Sequence, residues 1–143
     1  MVDNPEEIIN KLKSKGHRIT PAREQIVEIF INSSTPISAG DLIESFRILK
    51  IPVNKTTIYR ELEFLLNQAI LQEIEFGEGK KRYELKTAHH HHHIICSNCR
   101  KVEDVDLDVD LHDEEKKIEK QIGFIIQSHS LEFFGLCKNC QNI

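Results

Sequence analysis

Apolar residues recur at helical spacing in four stretches of the first half of the chain, which predicts four amphipathic helices. Each stretch follows a residue that can cap a helix N-terminus: Asn4, Thr20, Ser38 or Asn54. The apolar stripes are Ile8, Ile9 and Leu12; Ala22, Ile26, Ile29 and Phe30; Leu42, Phe46 and Leu49; and Ile58, Leu62, Leu65 and Ala69. Gly16 is expected to end the first helix, because glycine readily adopts the conformation that follows a helix.

A β-hairpin is predicted after the fourth helix. Residues 71–85 alternate between apolar and polar around Gly77-Glu78-Gly79, which supplies the turn. Helices followed by a two-stranded ribbon are the order of parts in a winged helix-turn-helix. We therefore expect this fold over residues 1–85.

The pattern changes after a short hinge at residues 86–88, and a second domain is expected over residues 89–143. Its predicted elements are a strand at 89–96, a strand with alternating Val105, Leu107 and Val109, a helix with Leu111, Ile118 and Ile122 ended by Gly123, and a β-rich stretch at 124–136. The expected fold class is α+β, with a winged helix-turn-helix before a small α/β domain.

Composition agrees with a folded protein but gives no support to nucleic-acid binding. The chain has 143 residues, of which 39% are apolar and 29% charged. Its net charge is −4, and residues 1–85 carry 12 basic against 13 acidic side chains. Any nucleic-acid interface must therefore rest on local placement of charge. No stretch could span a membrane or act as a secretory signal, so a cytoplasmic location is expected.

The four cysteines form two CxxC pairs, Cys96 with Cys99 and Cys137 with Cys140. Two such pairs complete the tetrahedral shell of a structural zinc ion and leave no spare thiol. Thiols are kept reduced in the cytoplasm, which favours a metal site over disulfides. The alternative is a pair of redox motifs, but thioredoxin-like activity uses one CxxC at a strand–helix junction.

Five consecutive histidines, His89 to His93, run directly into the first CxxC pair. Because successive side chains on a strand point to opposite faces, His89, His91 and His93 are expected on one face and His90 and His92 on the other. One strand could thus contribute to two metal sites. Candidate partners are Glu84, Asp104, His112 and His129. Imidazole with carboxylate suits Fe, Mn, Zn, Co or Ni; the alternative is a solvated histidine strand.

Two other chemistries are less well supported. The acidic residues between 104 and 115 resemble an EF-hand loop, but Val109 stands where that loop needs glycine, so a strand with an acidic face is the better interpretation. No nucleophile elbow, phosphate-binding loop or metalloprotease motif is present, so the chain is not expected to be an enzyme.

Several motifs together resemble a known family. They are Thr20 with Arg23, Thr57-Ile58-Tyr59-Arg60, the histidine run leading into Ile95, Cys96 and Cys99, Ser128-His129-Ser130-Leu131, and Gly135-Leu136-Cys137 with Cys140. This set resembles the ferric uptake regulator family of bacterial metal-dependent repressors over nearly the whole chain. The resemblance implies an N-terminal DNA-binding domain, a C-terminal dimerisation domain and structural Zn²⁺ on the four cysteines.

The resemblance also implies two further metal sites. By position, the sensing site between the domains comprises Glu84, His91, His93 and Asp104. The second site lies within the dimerisation domain and comprises His90, His92, His112 and His129. The division agrees with the alternation expected on a strand. The regulatory ion would be Fe²⁺, Mn²⁺, Zn²⁺ or Ni²⁺.

This sequence departs from the family pattern at two ligand positions. A sensing-site histidine that the family usually places just before the third helix is replaced here by Pro36. The second site usually includes a glutamate where this chain has His112, and four imidazoles favour Zn, Ni or Cu over Mn. Glu84 argues against the zinc sensors, and Asp104 resembles the peroxide-sensing branch; the branch is left open.

For DNA binding, the fourth helix would lie in the major groove. The side chains expected at the DNA, by position or by resemblance, are Arg18, Arg23, Lys55, Thr56, Thr57, Tyr59 and Arg60, with Lys80, Lys81 and Arg82 on the wing. A two-fold dimer would bind an AT-rich palindromic operator.

The leading hypothesis is a cytoplasmic, homodimeric, metal-responsive repressor of metal-homeostasis or peroxide-stress genes. A metal buffer or chaperone that stores metal on the histidines is the alternative, and a zinc-dependent hydrolase with Glu84 as general base is a third hypothesis.

Overall fold

A computed structural model describes residues 4–77, 79–86, 91–107 and 111–142. The chain forms two compact units, Met1–Ala88 and His89–Ile143. Across the described residues, no helix combines the length and apolar character needed to cross a bilayer.

The first unit contains the four predicted helices. They are α1 (Pro5–Ser14), α2 (Pro21–Asn32), α3 (Ala39–Ile48) and α4 (Lys55–Asn67). Each predicted capping side chain accepts a hydrogen bond from a backbone N–H of the first turn. In α3, Ser38 and Asp41 form a complete capping box. Most residues of the four apolar stripes meet in one core, which confirms the helical periodicity.

A three-stranded antiparallel sheet completes the first unit. It comprises β1 (Ile37–Ser38), β2 (Leu71–Glu75) and β3 (Lys81–Leu85), in the order β1-β3-β2. The predicted hairpin is therefore confirmed, with Gly77 and Gly79 at φ 72° and 77° in its turn. The sequence pattern did not predict β1, because two residues are too short to show alternation.

Two residues of the predicted stripes in this unit lie beyond the ends of their helices. Helix α3 ends at Ile48, so Leu49 follows it and is 49% exposed. Helix α4 ends at Asn67, whereas Ala69 has φ 57° and belongs to the turn that follows. The backbone N–H of Ile70 donates to the carbonyl of Leu65 at 3.0 Å, which closes the helix end.

The second unit is a mixed sheet with one helix. Its elements are β4 (His92–Cys96), β5 (Val102–Val105), α5 (His112–Ile122), β6 (Glu132–Gly135) and a 3₁₀ turn at Lys138–Cys140. The sheet order is β5-β4-β6, with β4 antiparallel to β5 and parallel to β6. Gly123 ends α5 with φ 74°, as predicted, whereas Leu111, which was predicted within the helix, precedes it as the N-cap residue.

Strand bounds in this unit differ from the predictions. Strand β4 begins at His92, so His91 precedes it, while residues 89 and 90 lie outside the described residues. Strand β5 ends at Val105 and leaves Leu107 out, and Val109 lies outside the described residues. Only Glu132–Gly135 is a strand within 124–136. Phe124 and Ile125 are 67% and 85% exposed, so they do not pack into the interior of this unit.

Candidate metal centres and nucleic-acid interface

Parallel pairing of β4 and β6 brings the two CxxC pairs together. Cys96 lies opposite Gly135 in the register, and one pair begins at the end of β4 while the other begins two residues after β6. The carboxyl ends of parallel strands lie at the same edge of a sheet, so both pairs meet there. Asn98 adds a contact between the pairs, since its Nδ2 donates to Cys140 Sγ at 3.3 Å.

The thiol geometry fits a tetrahedral metal ion. The four Sγ atoms lie within 4.8 Å of one another, and Cys99 Sγ is 3.7 Å from Cys137 Sγ. Zinc–sulfur bonds of about 2.3 Å in a tetrahedron place sulfur atoms about 3.8 Å apart. Four protein thiolates would close the shell and leave no position for a substrate.

Backbone groups favour the thiolate at one of these cysteines. The N–H groups of Cys137 and Cys99 lower the pKa of Cys96 to about 6. At Cys140 the hydrogen bond from Asn98 lowers the pKa, but the neighbouring thiols outweigh it and the pKa rises to about 11. The metal-free cluster therefore holds bound protons at neutral pH, which metal binding must displace.

The histidines of the predicted sensing site contact one another and Asp104 within the second unit. The rings of His91 and His93 meet edge to face, with centroids 4.9 Å apart. His93 is buried and lies opposite Asp104 in the β4–β5 register, with its Nε2 3.5 Å from Asp104 Oδ1. Two ligands with metal bonds of about 2.1 Å in a tetrahedron lie about 3.4 Å apart, so this pair could share an ion.

Glu84 and Pro36 belong to the first unit. Glu84 lies on β3, where its Oε1 accepts a hydrogen bond from Gln72 Nε2 at 2.7 Å. Pro36, which has no ligand atom in its side chain, is fully buried. Its carbonyl accepts a hydrogen bond from Arg82 Nη1 at 3.2 Å, which ties the α2–β1 loop to β3.

The residues of the predicted second site are only partly brought together. His92 is buried, and its ring centroid is 5.6 Å from that of His129. His129 Nδ1 is hydrogen-bonded to Glu115. His112 is exposed at the start of α5 and, among the described residues, forms no cluster of three close ligand atoms with His92 and His129. His90 lies outside the described residues.

The first turns of α4 present a polar surface. Lys55, Thr56, Tyr59 and Arg60 are exposed, Thr57 is half-buried, and Ile58 between them packs into the core. The first turn carries no acidic residue, and the positive end of the helix dipole adds to Lys55 there. This surface suits phosphate and base contacts in a DNA groove.

The other predicted DNA contacts differ in their environments. Arg18 is exposed, whereas Arg23 is largely buried and its guanidinium binds Glu61 through two hydrogen bonds of 2.7 and 3.1 Å. On the wing, Lys81 pairs with Glu73 at 3.1 Å, and Arg82 donates to the carbonyl of Pro36.

A profile of the ferric uptake regulator family matches residues 14–134. The chain belongs to the ferric uptake regulator family. The ferric uptake regulation protein of Bacillus subtilis (strain 168) is 33% identical over 144 residues, which cover 98% of this chain and 96% of that protein. The peroxide-responsive repressor PerR of Staphylococcus saprophyticus is 31% identical over 138 residues, or 96% and 91% of the two chains.

A solved structure supports the same family at the level of the fold. The ferric uptake regulator Fur of Helicobacter pylori is similar with a TM-score of 0.79 at 26% identity, over 98% of this chain and 95% of that one. That protein is described as having three functional metal-binding sites. The α+β fold class, with an N-terminal helix-turn-helix and a C-terminal α/β unit, is thereby confirmed.

Three polar residues that contact predicted site residues were missed by sequence reasoning. Gln72 is hydrogen-bonded to Glu84, Glu61 to Arg23 and Glu115 to His129. Glu61 lies three residues after Ile58 and four before Leu65, which places a carboxylate on the apolar stripe of α4. Glu115 occupies the same kind of position relative to Ile118 and Ile122. A charged residue on an otherwise apolar stripe is the signal that could have identified both.

Proposed function

We propose that this protein is a metal-responsive transcriptional repressor that binds DNA as a homodimer. The observation that carries the proposal is the exposed polar face of α4 on a winged helix-turn-helix, in the same chain as the four clustered thiols. Membership of the ferric uptake regulator family supports both parts. Its targets would be metal-homeostasis or peroxide-stress genes. The protein would act in the cytoplasm, and it would be a regulator rather than an enzyme.

Zn²⁺ on Cys96, Cys99, Cys137 and Cys140 would be structural. The thiols would fix the end of β6 and the following turn to the end of β4. Because β6 has only four residues, these ligands would supply much of the stability that keeps it in the sheet.

The proposed sensing site comprises Glu84, His91, His93 and Asp104, and its ion would be Fe²⁺, Mn²⁺, Zn²⁺ or Ni²⁺. The close approach of His91, His93 and Asp104 supports this set within the second unit. Glu84 enters on the family resemblance. Ligands held together by the ion would favour the dimer form whose two α4 helices match the operator spacing. Pro36 contributes no ligand, so the response would depend on the remaining four residues.

The proposed operator is an AT-rich palindrome, because a two-fold dimer presents two identical helices to two half-sites. Arg18, Arg23, Lys55, Thr56, Thr57, Tyr59 and Arg60 are the proposed DNA-binding residues. Dimerisation would bury the apolar residues that the second unit exposes, among them Phe124, Phe133 and Phe134.

The test is operator affinity at fixed ionic strength with the structural zinc retained, across added Mn²⁺, Fe²⁺, Zn²⁺ and Ni²⁺. We expect one of these ions to tighten binding to the palindrome but not to random DNA, and Asp104→Asn to weaken that response. The matched control is Glu103→Gln, since Glu103 is exposed on the same strand and pairs with Lys101. Equal affinity with and without every ion would contradict the switch, and equal affinity for random DNA would favour a metal buffer.

A further inference from the structure

We propose that Glu115 is a positioning residue of the second metal site, where it fixes the tautomer of His129 so that Nε2 is the nitrogen that binds the ion. The inference rests on the proposed function, because the metal site itself is part of that proposal. Glu115 lies outside the ligand set that the family resemblance supplies, and its role follows from its contacts in this chain.

The contact between Glu115 and His129 is direct. Glu115 Oε1 is hydrogen-bonded to His129 Nδ1, and both side chains are about three-quarters buried. An ionised carboxylate can only accept a hydrogen bond, so the proton of the neutral imidazole must be on Nδ1. Coordination by Nδ1 is then excluded, and Nε2 becomes the ligand atom.

His92 is oriented in the same way by a different group. Its Nδ1 lies 3.1 Å from the carbonyl oxygen of Leu131, which likewise can only accept. The rings of His92 and His129 are inclined by 31° with centroids 5.6 Å apart. Both imidazoles thus have Nδ1 engaged, one by a carboxylate and one by a backbone carbonyl. Metal-binding histidines almost always have this arrangement.

A second carboxylate of α5 holds the segment of this chain that leads to His129. Glu119, one turn beyond Glu115 on the same face, accepts a hydrogen bond from the N–H of Ile126 at 2.9 Å. That bond, with the ion pair to Lys116, lowers the pKa of Glu119. The segment carrying His129 is therefore fixed to α5 at two points, and the Ile126 bond limits the movement of His129 relative to Glu115.

The alternative is that Glu115 is itself a ligand. Its Oε1, however, contacts His129 Nδ1, and so lies on the side of the ring away from the Nε2 atom that would bind the ion. A carboxylate on Nδ1 also raises the basicity of Nε2, so the contact strengthens coordination without adding a ligand. The donor set therefore stays rich in imidazole nitrogen, which suits a borderline ion such as Zn²⁺.

The experiment is a zinc titration of the full chain that retains its structural zinc, followed through the His129 ring nitrogens by long-range ¹H–¹⁵N NMR. The variants are Glu115→Ala, Glu115→Gln and the control Glu114→Ala, which removes an exposed acid from the same turn of α5. His129→Ala identifies the ring signals. Because the readout is local to His129, it reports this site separately from zinc bound elsewhere, with a chelator buffer setting the free zinc concentration.

We expect Glu115→Ala to weaken zinc binding at His129 by about 10- to 100-fold and to shift the metal-free ring towards the Nε2–H tautomer. Glu115→Gln should retain most of the affinity, because the amide oxygen still accepts from Nδ1–H. Glu114→Ala should behave as the parent protein. Loss of affinity in Glu115→Gln equal to that in Glu115→Ala, with an unchanged tautomer, would overturn the proposal in favour of a direct ligand. Unchanged affinity in Glu115→Ala would also overturn it.

Failure of the proposed function gives a different result. If operator binding does not respond to any ion while the His129 signals follow the expected order, the repressor proposal fails and the positioning role stands. If Glu115→Ala does not fold, the tautomer and affinity in Glu115→Gln decide the question alone.

Discussion

The guanidinium of Arg23 is held by neighbours within its own unit. It binds Glu61 through two nitrogens, donates to the carbonyl of Arg18 at 2.7 Å and lies 3.7 Å from the centroid of the Phe64 ring. Both Glu61 and Phe64 are on α4, whereas Arg23 is on α2. The pair therefore fixes the helix that carries the DNA-facing residues, in addition to any contact that Arg23 makes with a phosphate.

Glu61→Gln should lower the free energy of unfolding by about 3 kcal/mol, because it leaves a largely buried guanidinium without its counter-charge. Urea unfolding followed by circular dichroism measures this change. Glu63→Gln is the control, since Glu63 is exposed on the same helix and should be neutral within about 0.5 kcal/mol. Equal stability of the two variants would contradict a role for the pair.

The four thiols predict a pH dependence of zinc binding. Because the pKa of Cys140 is raised to about 11, its thiol is protonated at neutral pH and must lose that proton to become a ligand. Zinc uptake by the metal-stripped protein should therefore release protons, and affinity should fall by about tenfold per pH unit for each proton released as pH decreases. Competition with a chelator across this range, together with indicator-dye measurement of released protons, tests the prediction. An affinity independent of pH would contradict it.

At the scale of elements, the helices and the hairpin could be predicted, whereas β1 and the bounds of the strands in the second unit could not. Each helix of the first unit carries two independent local signals, a capping residue and an apolar stripe, and both depend only on nearby residues. Strands in the second unit depend on pairing between distant segments. Phe124 and Ile125 show why apolar pattern alone misleads there, since they are exposed and unpaired within their unit. The same rule holds for the site: the CxxC pairs are evident from spacing, whereas the contact between Glu115 and His129, which are 14 residues apart, required the fold.

The N-cap of α4 links element stability to DNA binding. Asn54 Oδ1 accepts a hydrogen bond from the N–H of Thr57 at 2.8 Å. Asn54→Ala should destabilise the protein by about 1 kcal/mol and fray the turn that carries Lys55 and Thr56. We expect operator affinity to fall by about fivefold, as measured by fluorescence anisotropy at fixed salt.

Asn4→Ala is the matched control for this change. Asn4 caps α1 through a bond of 3.0 Å to the N–H of Glu6, so its loss should reduce stability by a similar amount. Operator affinity should then stay at the parent value, because α1 is not a DNA-facing helix in the proposal. Asn54→Ser should restore binding, since serine also caps. Equal losses of affinity in Asn4→Ala and Asn54→Ala would show that stability alone is responsible.

At the scale of the whole molecule, the second unit exposes several large apolar side chains. Sheet β5-β4-β6 leaves β6 at an edge, and Phe133 and Phe134 on that strand are 38% and 56% exposed. None of the residues of α5 is buried, although Ile118 and Ile122 lie on one face of it. The proposed homodimer would cover both features with a second copy of the chain.

Phe134→Asp should therefore convert the dimer to a monomer, because a carboxylate would be buried without a partner in the interface. Sedimentation velocity should show a monomer, and affinity for the palindromic operator should fall by at least tenfold while half-site binding persists, since one α4 helix is intact. The control is Ile48→Asp, which changes a residue of the first unit that is 65% exposed and should leave the dimer unchanged. A dimeric Phe134→Asp protein with full operator affinity would place the dimer contact elsewhere on the second unit.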